Sequence, residues 1–162
     1  MIKIITVGKK QEQFVGLGIA EYEKRLRKPF DLEWVVLADG DKASEEKAIL
    51  RAVGGSGRSV AGGGRAASSS AGGRDFVILL DERGKNLSSP EFAEILQEKL
   101  GEQNVVLVIG GSLGVTDTVR ARADLVWSLS RLVFPHQLVR LLVSEQIYRA
   151  QTLANGQNYH KY

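Results

Sequence analysis

Four runs of consecutive apolar, strand-forming residues constrain the fold of this chain more than any other feature. They are IKIITVG at 2–8, LEWVVLA at 32–38, FVILLD at 76–81 and VVLVIG at 105–110, and a weaker fifth run, LVWSLS, lies at 125–130. Because apolar residues follow one another instead of alternating with polar ones, both faces of the resulting sheet must be covered, as in parallel α/β sheets. The sequence therefore predicts a sheet buried between two layers.

Helical patterns occupy the intervals between these runs and complete the prediction of an α/β domain with a mainly parallel sheet. We expect helices at 11–27, 44–53, 90–100 and 135–154. Ser44 and Ser89 stand where they can cap the second and third of these helices, and Gly101 and Gly156 stand where the third and fourth should end.

Residues 54–73, GGSGRSVAGGGRAASSSAGG, interrupt the alternation of strands and helices. This tract holds eight of the chain's 18 glycines and has little apolar area to offset the entropy of ordering it. A phosphate-cradling loop would need a strand directly before it and a Gly-Lys-Ser/Thr triplet, and neither is present. We therefore expect a single domain over residues 1–162 that carries a flexible loop at 54–73.

The net charge of +3 invites a nucleic-acid interpretation, but its distribution weakens that inference. Residues 51–74 contain four arginines and no acid, and without them 18 basic residues face 19 acidic ones. The last 32 residues are more informative, since Arg131, Arg140, Arg149 and Lys161 there oppose Glu145 alone. Either a local basic surface or ordinary solvated helix faces would account for that bias.

The chain has no cysteine and only two histidines, His136 and His160. This composition excludes disulfides and thiolate chemistry, and we expect no metal site. No apolar run approaches the roughly 18 residues of a membrane span, and the N-terminus has the pattern of a strand and not of a signal peptide. The expected setting is therefore cytoplasmic, without a membrane.

Gly110 and Gly111 directly follow the fourth strand, at the sheet edge where ligands bind in open α/β sheets. Two interpretations stay open for this pair. The glycines allow a backbone to approach a ligand closely, or they serve a tight turn that requires positive φ. The G-x-G-x-x-G spacing of a dinucleotide-binding loop is absent.

Two further features concern the C-terminal region. Glu145 falls within the apolar stripe of the last helix and has Arg149 four residues later, which predicts an ion pair. That pair is either a structural salt bridge or a device that orients a catalytic or RNA-binding arginine. Tyr159 and His160 belong to a tail that can stack on an unpaired base, or that is simply frayed.

Several motifs together resemble one family. They are LLDERGK at 79–85, LVIGGSLG at 107–114, SLSRLVFPHQLVRLLVSEQIYRA at 128–150 and the terminal YHK at 159–161, with VGK and AEYEKRL near the N-terminus. In this order they resemble the RlmH family, which consists of small SPOUT-class methyltransferases that methylate N3 of a pseudouridine in the helix 69 loop of 23S rRNA in assembled ribosomes. The tract at 54–73 departs from that family, which continues a charged helix there.

The resemblance implies a SPOUT α/β knot with a C-terminal deep trefoil knot, an obligate homodimer and S-adenosylmethionine (SAM) as the cofactor. It places the contacts to SAM on eight residues: Leu80, Gly110, Leu129, Ser130, Arg131, Leu132, Val133 and Phe134. The accepting N3 carries a proton that must leave.

The candidate catalytic residues are His136, Glu145, Arg149, Tyr159 and His160. His136, Glu145 and His160 are the candidate proton acceptors, whereas Arg149, Arg140 and Lys161 are expected to hold phosphate or stabilise the developing anion. Two other functions remain open: methylation of a different RNA base, and a non-catalytic module that binds RNA or the ribosome.

Overall fold

The computed structural model describes residues 1–54, 74–157 and 159, so nearly all of the glycine-rich tract lies outside the described residues. The strands within these ranges are β1 (Ile2–Val7), β2 (Leu32–Leu37), β3 (Phe76–Asn86), β4 (Val105–Ile109) and β5 (Leu125–Ser128). The helices there are α1 (Gln13–Glu23), α2 (Lys42–Gly54), α3 (Ser89–Glu102), α4 (Asp117–Arg122) and α5 (His136–Ala154).

The strands form one parallel sheet in the order β2-β1-β4-β3-β5. All five predicted strands are confirmed, and so is the parallel α/β class. In the centre of the sheet Ile4 of β1 pairs with Leu107 of β4, and Leu107 pairs with Ile78 of β3. The carboxyl ends of β3, β4 and β5 consequently meet at one edge.

Successive apolar residues of the central strands enter two separate cores. Ile4, Ile78 and Leu107 belong to a cluster with side chains of α3 and α5, whereas Ile5, Leu79 and Val108 belong to a cluster with side chains of α2 and α4. Helix α1 lies beside α5, where Leu141 contacts Gly18. Each face of the sheet is covered by helices, which confirms the explanation that the sequence analysis gives for the consecutive apolar runs.

The helix boundaries correct the expected caps. Helix α2 begins at Lys42, and Asp41 Oδ1 accepts the backbone N–H of Ser44, so the carboxylate and not the serine satisfies this end. Helix α3 is capped by Ser88 instead of Ser89, in a reciprocal arrangement with Glu91, and it continues through Gly101. The short helix α4, absent from the sequence prediction, has Thr116 as its N-cap.

Helix α5 matches its predicted range, and Gly156 just beyond it has a φ of +65°, a left-handed conformation that favours glycine. No helix in the described ranges is long and apolar enough to cross a membrane.

Arg140 anchors α5 to the end of β1. Its side chain is 2% exposed, and its Nη2 donates to the carbonyl oxygens of Val7 at 2.8 Å and Gly8 at 2.7 Å. Burial lowers the pKa of this guanidinium, an effect that the carboxylate of Asp39 opposes. The expectation that Arg140 holds an RNA phosphate is therefore wrong for this structure, since the side chain is enclosed and bonded to backbone.

Candidate functional site

A cavity of about 760 Å³ opens at the carboxyl ends of β3, β4 and β5. Four segments supply most of its lining: residues 80–83 within β3, the end of β4 and the loop after it to Val115, the end of β5 and the loop after it, and the first turn of α5; Lys42 and Arg120 complete it. This volume lies within the roughly 300–1,000 Å³ of typical small-molecule sites. The location is the one that parallel α/β sheets use for ligands.

Seven of the eight residues that sequence comparison assigns to a cofactor line this cavity: Leu80, Gly110, Leu129, Ser130, Leu132, Val133 and Phe134. The eighth, Arg131, belongs to the same loop but has an exposed side chain outside the cavity lining. Leu80, Leu129 and Phe134 supply apolar walls. A flat heteroaromatic ring fits such walls, and backbone groups at the strand ends can hydrogen-bond to its polar edge.

Gly110 lies where there is no room for a side chain, and its φ is not positive. Among the described glycines the positive φ values belong to Gly8, Gly114 and Gly156, so of the two interpretations left open for Gly110 and Gly111, the positive-φ turn is wrong. A Cβ on Gly110 would lie 2.8 Å from Cγ1 of Val115, which also lines the cavity. A valine at position 110 would therefore disturb the loop after β4 itself, in addition to any ligand that approaches there.

A bulge in β3 forms one wall of the cavity. Strand β3 pairs with β5 up to Leu80 and again from Lys85, and residues 81–84 between them leave the ladder. Gly84 returns so close to β5 that a Cβ there would lie 2.7 Å from backbone atoms of Val126 and Trp127. No sequence pattern predicts this bulge, although residues 81–84 form the centre of the LLDERGK motif.

Asp81 and Arg120 form an ion pair across this wall. Arg120 Nη2 lies 2.7 Å from Asp81 Oδ2, and their side chains are 20% and 9% exposed. The N–H of Arg83 donates to Asp81 Oδ1 at 2.9 Å. Burial raises the pKa of Asp81, but these two hydrogen bonds and the positive charges of Arg120 and Arg83 together outweigh it, so the net pKa is lowered and the carboxylate is ionised at neutral pH. Neither residue was singled out from the sequence, which gives no signal for their meeting.

The four candidate catalytic residues that the structure describes are divided between two places. His136 begins α5 and lines the cavity. Glu145 lies nine residues farther along the same helix, or about 13 Å at 1.5 Å per residue. Glu145, Arg149 and Tyr159 lie at this distant part of α5, and none of them lines the cavity of its own chain.

Glu145 and Arg149 form the predicted ion pair. Glu145 Oε1 accepts from Arg149 Nε at 3.0 Å and from Arg149 Nη2 at 2.7 Å, while Oε2 accepts from Gln146 at 2.6 Å. The arginine side chain is 9% exposed. Both carboxylate oxygens are thus engaged, which makes Glu145 better suited to orienting Arg149 than to accepting a proton.

Tyr159 lies against this pair. Its ring meets Tyr148 edge-on at a centroid distance of 5.0 Å, and the Arg149 guanidinium carbon lies 5.0 Å from the Tyr159 ring centroid. Burial, with further contributions from Tyr22 and Glu145, raises the pKa of the Tyr159 phenol to about 12. His160 and Lys161 lie outside the described residues. Among the described residues no group of His, Cys, Asp and Glu side chains is arranged to hold a metal ion.

Comparison with known proteins identifies the same family that the sequence motifs resemble. The family described as predicted SPOUT methyltransferases matches residues 1–160. Ribosomal RNA large subunit methyltransferase H of Desulfitobacterium hafniense is 43% identical, with 99% of this chain and 98% of that protein covered. The protein of the same name from Streptococcus agalactiae is 41% identical over 99% of both chains.

One solved structure resembles the fold. A probable methylase family protein from Haemophilus influenzae Rd KW20 superposes with a TM-score of 0.54 at 12% identity, covering 99% of this chain and 70% of that one. At this level of identity the likeness concerns the fold alone.

Proposed function

This chain belongs to the SPOUT methyltransferase family, and from that membership we propose that it is a SAM-dependent methyltransferase of large-subunit ribosomal RNA. The observation that carries the proposal is the cavity at the carboxyl ends of β3, β4 and β5, because seven independently assigned cofactor residues line it. The relatives that are about 40% identical over nearly the whole chain are named for this activity.

The cavity suits SAM by its size and by its chemistry. Leu80, Leu129 and Phe134 would enclose the adenine, and backbone groups near Gly110 and in the 129–134 loop would hydrogen-bond to its edge. When bound, SAM supplies an activated methyl group on its sulfonium. The residues of the chain then have to orient the acceptor for in-line transfer and remove its proton.

We assign the acceptor, as the finer part of the proposal, to N3 of a pseudouridine in the helix 69 loop of 23S rRNA. The motifs that resemble the RlmH family support this choice, and the 159–161 segment offers aromatic and cationic groups for an unpaired base and a phosphate. Methylation of another RNA base remains the alternative, and mass spectrometry of the modified nucleotide separates the two.

We further propose a homodimer with composite active sites. In one chain Tyr159 and Arg149 lie at the part of α5 remote from that chain's cavity, so a second copy is the natural source of these groups at the first copy's cofactor. Exposed apolar residues also support a dimer, because a second copy could cover them. Leu132 and Val133, which line the cavity, are 70% and 78% exposed in the single chain. Sedimentation as a monomer at micromolar concentration would contradict the homodimer.

The SPOUT knot stays part of this proposal, as does the single domain over 1–162. The sheet and both of its helical layers draw on elements from Ile2 to Ala154, which supports one domain.

The described residues suggest a division of roles within the composite site. His136 lines the cavity and is the candidate proton acceptor on the cofactor's own chain. Arg149, held by Glu145, would neutralise a phosphate or the developing anion. The Tyr159 phenol, with its raised pKa, would remain protonated and serve as a stacking surface and hydrogen-bond donor. His160 is the alternative proton acceptor.

The decisive experiment supplies the purified protein and SAM to ribosomes from a strain that lacks this modification. Mass spectrometry of the rRNA should then show one added methyl group on a pseudouridine. SAM binding by calorimetry without any methylation would favour the non-catalytic RNA- or ribosome-binding module, and the absence of SAM binding would contradict the proposal as a whole.

A further inference from the structure

The strongest feature that the proposed function does not use is the ionised carboxylate of Asp81 in the cavity wall. The seven assigned residues contribute apolar side chains, a glycine and a serine, so none of them offers a charged acceptor. Asp81 lines the same cavity at the first position of the β3 bulge, directly after Leu80. A SAM molecule presents donors as well as apolar surface, namely the ribose hydroxyls and the ammonium group.

The orientation of Asp81 is fixed from two sides. Arg120 of α4 binds Oδ2 at 2.7 Å, and the backbone N–H of Arg83 binds Oδ1 at 2.9 Å. Each carboxylate oxygen can accept a further hydrogen bond, so both retain capacity for a ligand. The return of the chain at Gly84, where no side chain fits against β5, fixes the far end of the bulge. A preorganised binding group requires its orientation to be fixed in this way by its neighbours.

The other charged residues of the cavity lining are less suited to this role. Glu82, Arg83 and Lys42 line the cavity too, but they are exposed, whereas Asp81 is 9% exposed. A hydrogen bond to a sheltered, oriented carboxylate competes with little water. Asp117, which also contacts Arg120, is 98% exposed and does not line the cavity.

We propose that Asp81 is a cofactor-binding residue that accepts a hydrogen bond from a donor group of SAM, and that Arg120 is the residue that positions it. The proposal rests on the SAM site described above and adds to that site its one oriented anionic acceptor among the described residues. The donor is either the ribose diol or the ammonium group, and two ligands distinguish them. S-adenosylhomocysteine carries both groups, whereas 5′-methylthioadenosine keeps the ribose and lacks the amino-acid part.

The test is calorimetric titration of the full-length protein with these two ligands. We expect Asp81→Asn to weaken S-adenosylhomocysteine binding by at least about tenfold, as loss of a hydrogen bond to a charged group does. Arg120→Gln keeps the Asp81 carboxylate but frees it to reorient. The loss of S-adenosylhomocysteine affinity in this variant should therefore be clearly smaller than in Asp81→Asn. Asp117→Asn removes the same charge from the exposed partner of Arg120 and is the matched control, with affinity expected to stay within about twofold.

The two ligands then identify the donor. If Asp81→Asn weakens the binding of both ligands equally, the ribose is the donor. If the affinity for 5′-methylthioadenosine is unchanged, the ammonium group is the donor. Unchanged S-adenosylhomocysteine affinity in Asp81→Asn overturns the proposal. Equal losses in Asp81→Asn and Arg120→Gln overturn it too, because the ion pair would then only shape the bulge. Thermal unfolding of each variant checks its fold, and failure of the parent protein to bind either ligand would instead refute the SAM site itself.

Discussion

The guanidinium of Arg149 lies over the ring of Tyr159, with its Cζ 5.0 Å from the ring centroid. This contact joins the last described residue of the chain to the ion pair of α5. It places a tyrosine, an arginine and the carboxylate of Glu145 in one cluster, remote from the cavity of the same chain. The cluster gives Tyr159 a defined place against α5.

The pH dependence of stability should reveal the environment of Tyr159. Its pKa is raised from 10.0 to about 12, so the folded chain favours the neutral phenol. The contribution to stability is therefore complete below pH 10.0 and is lost as the pH rises through about 12. Tyr159→Phe should lack this alkaline loss when urea unfolding is measured across the range. Parallel curves for parent and variant would show that the fold does not raise the pKa of this phenol.

The loss of Arg140 should lower the stability of the fold. Arg140→Met leaves the carbonyl groups of Val7 and Gly8 without their side-chain donor. We expect the free energy of unfolding to fall by about 1–3 kcal/mol in urea titrations. Arg131→Met alters an exposed arginine of the same C-terminal region and should change it by less than about 0.5 kcal/mol. Equal stability of the two variants would contradict the anchoring role.

Two glycine substitutions should have opposite effects. Gly84→Ala places a Cβ 2.7 Å from the backbone of β5 and should cost about 1–3 kcal/mol, together with weaker cofactor binding through the displaced bulge. Gly101→Ala lies in α3 with nothing within 4 Å of its Cβ and should stabilise by up to about 1 kcal/mol. Thermal unfolding measures both, and a stable Gly84→Ala would show that the strands can separate there.

Removal of the charge from Glu145 should separate catalysis from cofactor binding. Glu145→Gln loosens the hold on Arg149 and should reduce rRNA methylation at least about tenfold. Because neither Glu145 nor Arg149 lines the cavity, and Arg149 is assigned to a phosphate or the developing anion and not to SAM, S-adenosylhomocysteine affinity should change by less than about twofold. Methylation and calorimetric assays on the same preparation give the comparison, and a parallel loss of both quantities would refute the proposed roles.

Deletion of residues 158–162 should abolish rRNA methylation while SAM still binds and the dimer persists. The deletion removes Tyr159 from its contacts with Tyr148 and Arg149, together with the candidate proton acceptor His160. Deletion of Tyr162 alone is the control and should retain activity. If the longer deletion methylates ribosomes at the parental rate, neither Tyr159 nor His160 takes part in the reaction, and His136 remains as the proton acceptor.

The sequence by itself determined the layers of the fold and, through its resemblance to the RlmH family, named seven of the residues that line the cavity. Consecutive apolar residues in β1, β3 and β4 require a sheet covered on both faces, and strand–helix alternation makes that sheet parallel. These are local, periodic signals. The residues that the resemblance assigns to SAM lie near the ends of strands or in the loops after them, and parallel strands end at one edge, so the topology brings seven of the eight to one cavity.

Only the tertiary structure decided how the charged residues are used. Arg140 and Arg149 belong to the same helix and look alike in sequence, yet one is bonded to the end of β1 and the other to Glu145 and Tyr159. Asp81 and Arg120 are 39 residues apart and meet because a bulge in β3 turns toward α4. A long side chain takes its role from the polar groups within reach once the backbone is packed, and those groups come from distant parts of the chain that no local pattern specifies.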